Sequence, residues 1–104
     1  MDAALRAIAD PRRREILRLV RYREMPAGAI AGHFAVTRPA ISQHLRVLKD
    51  AGLVDERREG TRRLYQARPD TVEDLRRFLD DFWAERLDRL RDLAEASQRE
   101  KEER

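Results

Sequence analysis

The sequence predicts a mainly α-helical domain with a small β-hairpin, in the order α-α-α-α-β-β-α. Three observations predict this fold class. Apolar residues recur at helical spacing along most of the chain, Pro and Gly divide it into short segments, and a glycine-tipped pair of strand patterns precedes the last helix. The 104 residues have the length of a single domain, expected over residues 1–96, with enough chain to bury a core.

Three short helices are predicted at the start of the chain. Ala3–Ala9 is a short apolar stretch, and Asp10-Pro11 is typical of the N-cap and first residue of a second helix, which ends near Arg23. Met25-Pro26 indicates a break in the chain. The alanine-rich segment Ala27–Phe34 is then expected to form a third, small helix.

The fourth helix is predicted to run from Arg38 to about Ala51, with Thr37 as its N-cap and Gly52 as its stop residue. With the third helix and the short turn between them, it forms a helix-turn-helix over residues 27–52. Its apolar positions recur at helical spacing and predict one buried stripe. The residues of this stripe are Ile41, Leu45 and Leu48.

A hairpin follows the helix-turn-helix. Leu53–Arg58 and Arg62–Ala67 are strand patterns, and Glu59-Gly60-Thr61 is expected to form the turn between them. We call residues 53–68 the wing. A hairpin in this place predicts a winged helix-turn-helix.

A long helix is predicted after the wing. Asp70, with Glu73 three residues later, is similar to a capping box and indicates a helix over residues 71–96. Residues 97–104 are polar and are expected to form a frayed tail.

The outward face of the fourth helix carries side chains suited to reading DNA bases. Gln43 can pair bidentately with adenine, and Arg38 or Arg46 with guanine. An ordinary solvated helix would also present a polar face, but the helix-turn-helix context favours contact with the major groove. His44 lies beside the buried stripe and is expected to brace the helix or touch the DNA backbone rather than to read a base. The predicted DNA contacts from this segment are Thr37, Arg38, Pro39, Ser42, Gln43 and Arg46.

The wing is predicted to add contacts to the DNA backbone. Four arginines surround Gly60, and such a hairpin suits phosphate or minor-groove binding. Because side chains alternate along a strand, some of these arginines face away from DNA. Charged residues that protect an exposed strand edge are the alternative interpretation. The predicted contacts are Arg58, Arg62 and Arg63.

Composition favours a polyanionic partner for the first part of the chain only. Residues 1–70 hold 15 basic and 9 acidic residues, whereas residues 71–104 hold 8 and 11. The chain contains no cysteine, which excludes disulfides and thiolate metal sites. No apolar run is long enough for a membrane span, and the start does not resemble a signal peptide, so a cytoplasmic protein with no membrane partner is expected.

The last helix predicts a second copy of the chain as a partner. Its apolar positions span about half of the circumference, which is wider than one core requires. A ligand pocket or a partner groove could also use this surface, but symmetric dimers are the commonest oligomers. The expected dimer interface comprises Leu5, Ile8, Phe82, Trp83, Leu87 and Leu90.

Three segments of the chain resemble ArsR-type (ArsR/SmtB-like) winged-helix transcriptional regulators. Residues 8–17 (IADPRRREIL) are similar to their opening, residues 38–54 (RPAISQHLRVLKDAGLV) to their recognition helix, and residues 57–65 (RREGTRRLY) to their wing. The similarity extends over roughly residues 3–93. It implies a homodimeric repressor that binds an inverted-repeat operator in double-stranded DNA, often in its own promoter.

The chain departs from the metal-sensing members of that family. Those members carry cysteines in the first helix of the helix-turn-helix, or His with Asp or Glu on the last helix. Here residues 27–34 contain no cysteine, and the predicted last helix contains no histidine. The similarity therefore implies the branch of autorepressors without a metal sensor, with no cofactor and with no inducer indicated.

Two other functions remain as alternatives at this point. An enzyme is not indicated, because the sequence has no phosphate-cradling loop, no metal constellation and no nucleophile–base set. A winged-helix module that binds a protein, or an antitoxin-like partner, would use the same wide apolar helix without binding an operator. It would not require Arg38, Ser42 and Gln43 to point outward.

Overall fold

The computed structural model describes residues 1–103, and in this range the chain forms five helices and a three-stranded antiparallel sheet. This arrangement confirms the predicted mainly helical fold with a hairpin wing. The elements are α1 (Asp2–Ile8), α2 (Pro11–Val20), β1 (Met25–Pro26), α3 (Ala27–Ala31), α4 (Arg38–Asp50), β2 (Val54–Glu59), β3 (Arg62–Ala67) and α5 (Pro69–Glu102).

The junction of α1 and α2 follows the prediction from Asp10-Pro11. The carboxylate of Asp10 accepts hydrogen bonds from the backbone N–H groups of Arg12, at 2.8 Å, and Arg13, at 3.4 Å. The bond from Arg12 lowers the pKa of Asp10 because it stabilises the charged form. The guanidinium of Arg13 also donates to the carbonyl of Ala7, at 2.6 Å. Arg13 of α2 thus donates a hydrogen bond to the Ala7 carbonyl near the end of α1, which has no partner within its own helix.

The segment predicted as a break contains a short strand. Helix α2 ends at Val20, three residues before the predicted end, and Met25-Pro26 forms β1. Met25 pairs with Tyr65 and Pro26 pairs with Leu64, so β3 lies in the middle of the sheet. Proline is tolerated here because β1 is an edge strand, where one N–H is not needed for the ladder.

The helix-turn-helix is formed by α3 and α4. Helix α3 ends at Ala31 rather than at Phe34. The hydroxyl of Thr37 caps α4 by accepting a hydrogen bond from the N–H of Ala40, at 3.3 Å. Gly52 has a φ of 76°, a left-handed conformation that ends the helix at low steric cost. The cap and the stop residue therefore match the prediction, and the predicted stripe of Ile41, Leu45 and Leu48 is buried.

Strand β2 is shifted by one residue from its predicted bounds, whereas β3 has the predicted bounds. Strand β2 begins at Val54 instead of Leu53 and ends at Glu59, which pairs with Arg62. The turn is therefore the dipeptide Gly60-Thr61, in which Gly60 has a φ of 63°. A two-residue turn requires a positive φ at its first position, and glycine adopts it readily.

Helix α5 is longer at both ends than predicted. It begins at Pro69, its N-cap is Arg68, and Asp70 lies inside the first turn, so the predicted capping box is wrong. Proline sets the start because its fixed φ suits the first helical residue. The helix continues through residues 97–102, which were predicted as a frayed tail, because this segment contains strong helix formers. Arg104 lies outside the described residues.

Candidate nucleic-acid interface

A groove between α4 and the wing collects most of the predicted DNA contacts. It has a volume of about 1000 Å³, and α4 forms one wall while β2 and β3 form the other. Burial of the apolar stripe against the core turns the opposite face of α4 into this groove. The predicted contacts that line it are Arg38, Pro39, Ser42, Gln43, Arg46, Arg62 and Arg63.

Arg38 reaches the groove at the junction of α3 and α4. Its guanidinium lies beside Gly28, where an added Cβ atom would be 3.4 Å from Nη1. The guanidinium of Arg38 is thus within van der Waals reach of α3 at Gly28. Arg38 is the first residue of α4, so its charge lies at the end of the helix that faces base edges in helix-turn-helix proteins.

Two predicted DNA contacts lie outside the lining of the groove. Thr37 is exposed, and its oxygen is already the acceptor of the cap, which leaves its hydroxyl proton to donate. Arg58 is exposed on β2 directly opposite Arg63, at the tip of the wing.

Not all of the wing arginines face the groove. Arg57 turns away from the groove and forms a bidentate pair with Glu24, at 2.5 Å and 2.8 Å. The hydrogen bonds from Arg57 lower the pKa of Glu24. Arg57 also lies 3.2 Å from Glu59. Its charge is thus matched by carboxylates on the far side of the ribbon.

An acidic residue, Glu56, lies inside the basic groove. Its side chain is only 17% exposed and is in contact with both walls, at 3.4 Å from Lys49 and 3.7 Å from Arg63. The hydroxyl of Tyr65 donates to the same carboxylate at 3.2 Å. Sequence reasoning did not single out Glu56. The register that places it opposite Tyr65 could have found it, because alternation then directs it toward α4.

His44 lies beside the stripe rather than on the groove face. Its Nδ1 atom is buried and has no hydrogen-bond partner among residues 1–103. The charge of His44 contributes to lowering the pKa of Asp10, after the larger effect of the Arg12 hydrogen bond. His44 is therefore near Asp10, at the α1–α2 junction.

A second surface lies on α5 and is apolar. Trp83 is 57% exposed and Leu90 is 61% exposed. Phe82 packs edge-to-face on Trp83, with ring centroids 5.9 Å apart, and the guanidinium of Arg86 lies 5.0 Å from the Phe82 centroid. The other predicted dimer residues on α5 are Phe82 and Leu87, which are also exposed, whereas Leu5 and Ile8 on α1 are half-buried against the core.

The described residues offer no suitable set of ligands for a metal ion. The chain has no cysteine, and residues 1–103 contain no group of three His, Asp or Glu side chains with the arrangement of a metal site. A thiophilic ion such as arsenite or mercury(II) requires thiolates, so the residues present do not fit such a group.

None of the described helices is both long enough and apolar enough to span a bilayer.

Comparison with known proteins gives a consistent family. The model of the arsR family of bacterial regulatory proteins matches residues 10–56. An HTH-type transcriptional regulator of Mycobacterium tuberculosis is 45% identical over 86 residues, which cover 83% of this chain and 80% of that protein. The transcriptional repressor SdpR of Bacillus subtilis is 37% identical, with 79% and 91% covered.

A solved structure has the same fold as this chain. The crystal structure of a possible transcriptional regulator for arsenical resistance superposes with a TM-score of 0.76 and is 42% identical in sequence. The match covers 86% of this chain and 93% of that one. At this identity and coverage the likeness extends over the helix-turn-helix, the wing and much of α5.

Proposed function

Because the chain belongs to the arsR family of bacterial regulatory proteins, we propose that it is a homodimeric repressor that binds an inverted-repeat operator, including one in its own promoter. As a member of this family it is a DNA-binding transcriptional regulator and not an enzyme. The observation that carries the proposal is the groove in which the polar face of α4 meets the cations of the wing.

In the proposed complex, α4 lies in the major groove of DNA. Gln43 pairs with adenine, and Arg38 and Arg46 pair with guanine or with phosphate, because their planar donors match these edges. The wing lies along the neighbouring backbone. There Arg58, Arg62 and Arg63 neutralise phosphates, which adds affinity without adding sequence information. Ser42, Pro39 and Thr37 complete the contact surface.

The proposed dimer covers the apolar face of α5. A 12.3 kDa chain that exposes Trp83, Leu87 and Leu90 together presents a patch that soluble monomers rarely leave open. A two-fold mate would bury this face against the same face of the second copy. Dimerisation would also supply two α4 helices, so that half-sites about 34 Å apart on one side of DNA can be read together.

We propose that the repressor acts in the cytoplasm, where its DNA is, and that it does so without a metal ion. Relatives named as arsenical and mercury resistance operon repressors are 31% and 34% identical to this chain. The absence of cysteine removes the ligands that would hold such ions here.

A gel shift and a footprint test the proposed function. The probe is a duplex from the promoter region upstream of the chain's own gene, and the control is a shuffled duplex of equal length and base composition. We expect a retarded complex at nanomolar protein with the first probe, a specificity of at least about 10³ over the second, and protection of two symmetric half-sites. Equal affinity for both probes would contradict the operator model and would leave a protein-binding module.

A further inference from the structure

The groove cations are not electrostatically equivalent. Arg38, Arg46 and Arg62 line the groove, and none of them forms an ion pair with another residue in the range 1–103. Lys49 and Arg63 line it too, but both are in ionic contact with Glu56. One carboxylate therefore holds a cation of α4 and a cation of the wing.

The surroundings of Glu56 favour this contact. Its side chain is 17% exposed, whereas those of Lys49 and Arg63 are 52% and 55% exposed, so solvent screens the attraction less than between two fully exposed groups. The phenol of Tyr65, itself buried, donates to the same carboxylate and fixes its position. Burial, with the added effect of the Glu56 charge, raises the pKa of Tyr65.

A cation that is held by a carboxylate contributes less to sequence-independent DNA binding. Such binding is driven by the counterions released when protein cations neutralise phosphates. Lys49 and Arg63 must leave Glu56, or share their charge with it, before they can do this. The free-energy cost of releasing these two cations is the same for every DNA sequence, because phosphates carry no sequence information.

We propose that Glu56 limits the affinity of the groove for DNA of arbitrary sequence by holding Lys49 and Arg63. Arg38, Arg46 and Arg62 can contact DNA without this cost, whereas Arg63 must first leave Glu56 to contact phosphate. This inference rests on the proposed DNA-binding function of the groove. It assigns to Glu56 a positioning role that acts through two other side chains rather than through DNA itself.

The test compares three variants that remove one negative charge each. Glu56→Gln keeps the shape of the side chain and releases both cations. Asp50→Asn removes a carboxylate from the same groove that forms no ion pair with any residue of 1–103. Glu24→Gln removes the partner of Arg57 on the far face of the wing. Binding to a 30-bp duplex of random sequence is measured by fluorescence anisotropy from about 50 to 200 mM salt.

We expect Glu56→Gln to lower the dissociation constant roughly threefold to tenfold at about 0.1 M salt, and to steepen the plot of log affinity against log salt by one to two units. Asp50→Asn and Glu24→Gln should leave the slope within about half a unit of the wild type. An unchanged or shallower slope for Glu56→Gln would overturn the inference, and so would an equal steepening in all three variants.

A second measurement needs no DNA. In a Tyr22→Phe background Tyr65 is the chain's remaining tyrosine, and its titration is followed by absorbance. Glu56→Gln should lower the pKa of Tyr65, and Asp50→Asn should not. An unchanged Tyr65 pKa in Glu56→Gln would show that the carboxylate does not lie against Tyr65, in the position from which it contacts Lys49 and Arg63, and would overturn the inference. A wild type that binds no duplex at all would instead overturn the proposed function, and this inference with it.

Discussion

Helices α4 and α5 are both amphipathic, but the apolar face of α4 is buried whereas most of the apolar face of α5 is exposed. Helix α4 buries its stripe of Ile41, Leu45 and Leu48 in the core of its own chain and leaves a polar face in the groove. Helix α5 buries Leu75 near its start, and further along it exposes Trp83 and Leu90. The apolar face of α4 is thus covered within its own chain, whereas α5 has an apolar face that its own chain does not cover.

The charge distribution follows the same division. The body that carries α4 is basic and suits a polyanion, while the segment from residue 71 onward is acidic and would be repelled by DNA. The molecule is 74 Å in its longest dimension because α5 projects past the body. The proposed DNA contacts and the proposed dimer contacts on α5 therefore lie in separate parts of the chain.

The two apolar faces should differ most in how much they contribute to the free energy of unfolding of the single chain. Leu45→Ala should lower the free energy of unfolding by about 2–5 kcal/mol at every protein concentration, because it opens a cavity in the core. Leu90→Ala should leave the isolated chain as stable as before and weaken only its association. Urea denaturation across a range of concentrations checks both. A Leu90→Ala chain that loses as much stability as Leu45→Ala, at a dilution where the wild type is monomeric, would break the comparison.

The next effect concerns the polar face of α4. Arg38→Ala and Gln43→Ala should each weaken operator binding by about 1–3 kcal/mol and relax the base preference at one position, because each removes a bidentate contact. Affinities for a set of single-base operator variants measure this. The control is Arg99→Ala, which removes the same charge as Arg38→Ala from the far end of α5. Full operator affinity in either groove variant would mean that the reading face is assigned wrongly.

A smaller effect is expected at the wing. Arg62→Ala should flatten the salt dependence of binding by about one unit on operator and random DNA alike, because one phosphate contact is lost. Arg63→Ala should flatten it by less, since Glu56 already holds that cation. The variant with both Arg62→Ala and Arg63→Ala should flatten the salt dependence by the sum of the two changes. A slope that does not change in the double variant would show that the wing does not touch DNA.

Metal ions should have no effect on either surface. Zinc, nickel, cadmium or arsenite at micromolar concentration should leave the DNA complex intact, because the chain lacks thiolates and α5 lacks histidine. The gel shift is repeated with each ion, alone and with a chelator. Dissociation that the chelator reverses would refute this expectation.

The sequence predicts α4 well because its signals are local. Thr37, the apolar spacing and Gly52 each act within one or two turns of the helix, and the structure matches all three. The features that the sequence missed depend on pairing between distant residues. Met25-Pro26 is too short to show alternation and becomes a strand only by pairing with β3. Glu56 likewise becomes part of the groove only through a register that is fixed by the hairpin turn.

The ends of α5 show a competition between local signals. Asp70 and Glu73 have the spacing of a capping box, but Pro69 precedes them and starts the helix earlier. At the other end, polarity alone suggested fraying from residue 97. Polar residues such as Gln, Arg, Glu and Lys are also strong helix formers, and the helix continues through them to Glu102.

The central claim is that operator reading requires the second copy that covers α5. Trp83→Glu combined with Leu87→Glu places two charges on the apolar face, which should prevent burial against a mate. Arg77→Glu is the control, because it makes the same change in net charge at an exposed position that pairs with Glu73 at 3.6 Å. Circular dichroism establishes that all variants are folded.

Sedimentation and gel shift are then measured on the same samples. The account predicts that Trp83→Glu with Leu87→Glu sediments as a monomer and loses operator affinity by at least about 100-fold, since a single half-site contact provides only part of the binding free energy. Arg77→Glu should stay dimeric and bind nearly as the wild type does. A folded, monomeric double variant that retains full operator affinity would contradict the account.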